Sequence, residues 1–70
     1  MNRITVASSA IRSVGYDATS RTLEIEFHKG AVYQYRPVPE EVHRRLMSAP
    51  SKGAFFRDHI QPHYSAHKIL

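Results

Sequence analysis

Five positions in the second half of the chain carry the clearest chemistry: Arg44, Arg45, Lys52, Gly53 and Arg57. Arg44-Arg45 is the one adjacent basic pair, and guanidinium groups bind phosphate strongly because their fork of donors matches its oxygens. Ser51-Lys52-Gly53 reads as the opening of a helix, where backbone N–H groups have no internal partner and can meet an anion. Lys52 adds charge there and Gly53 permits close approach. Arg57 follows one turn later. Each has a plain alternative: Ser51 as an ordinary N-cap, Gly53 as a packing position, Arg44 and Arg45 as the wet face of a helix.

Two tyrosines at alternate positions, Tyr33 and Tyr35, share one face of a strand. On an open sheet face such rings stack on unpaired bases. On a covered face they are core residues with hydroxyls at the rim. His59, His63 and His67 recur every fourth residue, the spacing of a metal-binding ladder on a continuous helix. Pro62 falls within that span and breaks such a helix, so no metal or other cofactor is expected. Ser, His and Asp occur without nucleophile-elbow, phosphate-loop or metalloprotease spacing, so a non-catalytic protein is expected.

The elements that must position these residues begin at Leu23–Tyr35. Leu23, Ile25 and Phe27 alternate with Glu24 and Glu26, the pattern of a strand with one face buried. His28-Lys29-Gly30 then suits a three-residue hairpin loop with Gly30 at positive φ. That loop length pairs Phe27 with Ala31, Ile25 with Tyr33 and Leu23 with Tyr35. It therefore places both tyrosines with the core. A two-residue turn would slip the register by one and expose them beside Glu24 and Glu26. Upstream, Tyr16 pairs with Leu23 and Val14 with Ile25 across an Asp17–Arg21 turn, and Ile11, out of phase, predicts a bulge near Arg12-Ser13. Ile4-Thr5-Val6 is an edge strand or an ordered arm.

Downstream, Pro39 opens a first helix, Glu40 and Glu41 favour its positive end, and Val42, Leu46 and Ala49 line one face. Pro50 ends it. A second short helix runs from Lys52 to about Ile60, capped by Ser51, with Phe56 and Ile60 turned to the sheet. Residues 61–70 read as a tail anchored by Tyr64 and Ile69. The expected fold is α+β: a three-stranded antiparallel meander followed by two short helices covering one sheet face.

Seventy residues make one domain, 1–70. No cysteine is available for a disulfide or a thiolate metal site. Neither a signal peptide nor a spanning helix is evident, so a cytoplasmic, soluble protein is expected. The net charge of +4 and a pI near 9.9 favour polyanionic partners.

The ordered blocks Ser9-x-Ile11-x-Ser13-Val14-Gly15-Tyr16-Asp17, Thr22–Phe27, Val32-Tyr33-Gln34-Tyr35, Val38–Val42 and Ser51-Lys52-Gly53-x-Phe55-Phe56 resemble the KTSC domain. The resemblance covers about residues 8–64. His43 stands where that pattern has an aromatic residue, and Arg57 where it has Asn. The family is named for its place at the C-terminus of some lysyl-tRNA synthetases and also occurs as stand-alone small bacterial proteins. The resemblance implies RNA as a partner. Joined with the basic residues, it gives an RNA-binding module acting through Arg44, Arg45, Lys52, Gly53 and Arg57. The competing reading is a protein-interaction or regulatory adaptor. That adaptor would use the outward sheet face of Arg12, Glu24, Glu26, Val32, Gln34 and Arg36, whose mixed charges suit protein better than phosphate.

Overall fold

The computed structural model describes all of residues 1–70. Its centre is the hairpin of β3 (Thr22–Phe27) and β4 (Val32–Arg36), and the pairing is the one the loop length predicts: Leu23 opposite Tyr35 and Ile25 opposite Tyr33. Phe27 N–H donates to Ala31 O at 2.9 Å, and Gly30, at φ +102°, closes the loop by donating to Phe27 O. A residue with a Cβ is strained at that φ. β2 (Ile11–Asp17) pairs with β3 in the expected register, Tyr16 with Leu23 and Val14 with Ile25. The bulge lies between Ile11 and Ser13, and it returns Ile11 to the core face, fully buried.

The sheet is larger than the three-stranded meander. It has five antiparallel strands in chain order, with β1 (Arg3–Thr5) on the free side of β2 and β5 (Ser65–Lys68) on the free side of β4. β1 is the expected edge strand. β5 corrects the tail assignment: Tyr35 pairs with Ala66, and Tyr33 with Lys68. Ser65-Ala66-His67-Lys68 has no β-branched or aromatic residue, so nothing local marks it as a strand. What recruits it is the row of unpaired N–H and C=O groups that β4 would otherwise leave at an edge. Of the two anchors expected in that segment, Tyr64 is half-buried against the core, whereas Ile69 is largely exposed.

Two helical elements cover one sheet face. α1 (Glu40–Ser48) starts one residue after Pro39, whose carbonyl accepts from Val42 N–H, and it buries Leu46 completely. The second element is not one regular helix. An α-helical turn, α2 (Lys52–Phe55), widens into a π-helical segment over Phe56–Ile60, closed by Gln61 N–H on Phe56 O. Phe56 and Ile60 still reach the sheet as expected, and both are buried. The core is Ile11, Val14, Leu23, Ile25, Tyr35, Val38, Leu46, Phe56 and Ile60. No helix is long and apolar enough to cross a membrane.

Candidate functional site

The tyrosine pair follows the register. Tyr35 is 4% exposed and meets Phe56 edge-to-face at 5.3 Å. Burial, and secondarily the neighbouring Tyr33, push its phenol up to about 12, so the hydroxyl stays protonated across the physiological range. Tyr33 is half-buried. It lies against Tyr35 at 6.3 Å and meets Phe27 edge-to-face at 5.9 Å. The pair is thus part of an aromatic cluster with Phe27 and Phe56, with Tyr33 as its partly open member.

The basic residues lie on the helical side and differ in their surroundings. Arg44 and Arg45 are exposed on α1, and neither forms an ion pair. The Arg45 guanidinium sits over the ring of Phe55, 5.7 Å from its centroid, and the other neighbour of that ring is His59 at 4.8 Å. A cation and a tilted imidazole therefore both contact one phenyl ring at the junction of α1 and the second helical element. Sequence reasoning missed Phe55 and His59 in this role; their spacing of four already places them on one helix face, but the approach of Arg45 from α1 is a tertiary contact that no local period shows.

Lys52 donates through Nζ to Ala49 O at 3.3 Å, so its charge is held at the C-terminal end of α1. Arg57 is held by Asp58 through Nε at 2.9 Å and Nη2 at 3.3 Å. That bond and charge keep the Asp58 carboxyl below its ordinary range. Ser51 Oγ accepts from Ala54 N–H at 3.2 Å, the expected N-cap bond. Gly53 faces the Ser8–Ala10 loop; a Cβ there would stand 3.6 Å from Ala10 Cβ, an ordinary contact. The backbone opening at Ser51-Lys52-Gly53 is therefore packed against the N-terminal loop.

The histidine series is dispersed. His59 lies tilted against Phe55, His63 lies in the turn after the π segment, and His67 is in β5 opposite Gln34. No three His, Asp or Glu side chains converge with metal-holding geometry. His43 stacks on Tyr16 at 4.7 Å with the rings nearly parallel, while the Tyr16 hydroxyl donates to Val38 O. The imidazole thus fills an aromatic position. Burial lowers its pKa, against the opposing charge of Glu40.

The outward sheet face is less open than the alternation implies. Glu24 is 5% exposed. Gln34 Nε2 donates to its Oε1 at 2.8 Å and Arg3 pairs with its Oε2. Arg3 also donates to Ser13 Oγ, and Ser13 donates to Glu26 Oε1 at 2.8 Å. Burial alone would raise the Glu24 pKa. The bonds from Gln34 and Arg3, with the charges of Arg3 and the N-terminal ammonium, outweigh burial and lower it. Val32, expected on that face, is buried at 1%, with its N–H and C=O both bonded to Ile69–Leu70. Glu24 and Val32 are thereby closed from within the chain, while Arg12 and Arg36 stay exposed and Glu26 and Gln34 half-exposed.

The chain matches the model of the KTSC domain over residues 7–64. It is similar over its full length to an uncharacterised protein of Stutzerimonas stutzeri, 43% identical over 70 residues and covering 99% of both chains. A lysine–tRNA ligase of Trichormus variabilis is 43% identical over 53 residues, 76% of this chain but 9% of the ligase. The crystal structure of a KTSC domain protein from Yersinia pestis superposes with a TM-score of 0.93 at 47% identity, covering 99% of this chain and 97% of the other.

Proposed function

The chain belongs to the KTSC domain family, and from that premise we propose that it is a small, non-catalytic RNA-binding module. The observation that carries the reading is the exposed pair Arg44 and Arg45, neither of them in an ion pair although Glu41 lines the same cleft, with Arg45 laid over Phe55 beside His59. Guanidinium groups contact phosphates, and a ring already paired with a cation is a stacking platform for a base. Lys52 adds charge at the C-terminal end of α1, where its ammonium is held by Ala49 O, and Arg57 contributes only by leaving Asp58. The recurrence of the segment in a lysine–tRNA ligase supports a tRNA-related setting in the cytoplasm. The burial of Glu24 under Arg3 and of Val32 narrows the face that the adaptor alternative would use to Arg12, Glu26, Gln34 and Arg36.

The test is a titration of fluorescent single-stranded and structured RNA at several salt concentrations. Affinity falls steeply as salt rises, because phosphate contacts release counterions. Neutralising Arg44 and Arg45 together reduces the logarithmic salt slope by about 1–2 and weakens binding evenly across sequences, since phosphate contacts position rather than specify. Binding no tighter than about 100 μM at about 50 mM salt overturns the reading in favour of a protein partner.

A further inference from the structure

A half-enclosed cavity of about 460 Å³ opens beside the β3–β4 loop, within the size range of small-molecule sites, about 300–1,000 Å³. Phe27 and Tyr33 form its aromatic wall, Ala10 and Ala31 narrow it, and His28 and Lys29 stand at its rim. The walls are held in place. Ser8 Oγ accepts from the N–H groups of Ala10 and Ile11, both at 3.2 Å. His28 Nε2 donates to Ser8 O at 2.8 Å, and His28 N–H donates to Ala10 O at 3.1 Å. The loop and the hairpin are therefore tied together across the mouth. Lys29 is exposed and forms no ion pair, and no carboxylate lines the cavity.

An apolar slot lined by two rings set edge-to-face, with a cation among its exposed lining residues, is complementary to a planar ring carrying an anionic group, which packs flat on one ring and against the edge of the other. We propose that this cavity takes one nucleotide of a single strand, its base against Phe27 and Tyr33 and its phosphate at Lys29. The proposal rests on the RNA reading and adds to it a base-holding site separate from Arg44 and Arg45. The two sites lie on one molecule only 28 Å in its longest dimension, with Ala10 of the cavity beside the position of Gly53 in α2, the element that carries Phe55.

The experiment is an amide NMR titration with AMP, adenosine and benzoate, repeated on Ala31→Met and Lys29→Gln. AMP is expected to shift the amides of Ser9–Ala10, His28–Ala31 and Tyr33 in a saturable way. Adenosine shifts the same amides with weaker affinity, and benzoate binds more weakly than AMP. Ala31→Met fills the slot, abolishes these shifts and weakens single-stranded RNA binding about tenfold, the scale of one lost stacking contact. Lys29→Gln brings AMP down to the affinity of adenosine, and it serves alone should Ala31→Met lose its dispersed spectrum. Shifts absent from these amides at millimolar AMP overturn the proposal. So does RNA binding that keeps its affinity in both variants, although the RNA reading then survives. AMP bound here while RNA fails to bind has the opposite consequence: the cavity stands as a nucleotide site and the RNA reading falls. Benzoate binding better than AMP assigns the cavity to free aromatic acids and overturns the nucleotide.

Discussion

Glu24, buried, and His43, half-buried, are titratable side chains that respond to acid in different windows. The folded pKa of Glu24 lies below its unfolded value, because Gln34, Arg3 and the N-terminal ammonium outweigh its burial. As pH falls the unfolded chain takes up that proton first. The stabilisation is complete above about pH 4.3 and is lost below it as pH falls toward the folded pKa. His43 also has a lowered folded pKa, here because burial disfavours the imidazolium. The unfolded chain again binds the proton first, so stability starts to fall below about pH 6.5. Urea denaturation across pH 3–7 separates the two: His43→Phe flattens the upper limb and Glu24→Gln the lower. At pH 7, Glu24→Gln also costs about 1–3 kcal/mol, because Arg3 loses its charged partner. The His43 imidazole stacks on Tyr16 as a phenyl ring would. The Glu24 network was not legible from the alternation of Leu23–Phe27. That pattern marks an outward side chain, but gives no sign that Arg3, more than twenty positions upstream in sequence, folds over it.

Among the elements, β2, β3 and β4 were readable because each carries a binary pattern and because one loop length fixes the register of all its pairs. Gly15 shows a constraint on β1 and β2 that the pattern does not contain. A Cβ at Gly15 would lie 2.8 Å from Asn2 O, a backbone atom that cannot turn aside. Gly15→Ala therefore lowers the melting temperature, whereas Gly53→Ala, meeting only Ala10 at 3.6 Å, is tolerated for packing. In the second helical element, Ser51→Ala costs about 1 kcal/mol by removing the bond to Ala54 N–H. Phe56→Ala costs about 3–5 kcal/mol, since its ring meets both Phe27 and Tyr35. Chemical denaturation of the two variants checks the ranking. A Phe56→Ala protein as stable as the parent would show that the π segment is not what closes the sheet. The π segment itself was hidden because Phe56 and Ile60, four apart, satisfy an α period equally well.

For the molecule as a whole, the sheet extends past both ends of the recognisable family segment. The KTSC match ends at residue 64, and β5 begins at Ser65. A chain shortened after Tyr64 leaves β4 as an edge carrying Tyr33 and Tyr35. It is expected to be less stable and to self-associate with rising concentration in sedimentation velocity, while the full chain sediments without that dependence. The candidate site was legible in its charges, which are local facts of sequence. Its aromatic partner Phe55 and the cavity at Phe27 and Tyr33 were not, because they arise where distant segments meet. The strand order carries one more consequence, which concerns time. Each of the first four strands pairs with the strand next to it in the chain, so these hairpins can close early, on a scale of about 1–10 μs each. β5 must wait until residues 37–64 have turned back through both helical elements, a much longer loop to close. The last strand to arrive is the first to leave. In hydrogen exchange, the amides that bind β5 to β4 should therefore open in advance of those joining β2, β3 and β4, and the tyrosine strand spends brief intervals at the rim of a four-stranded sheet.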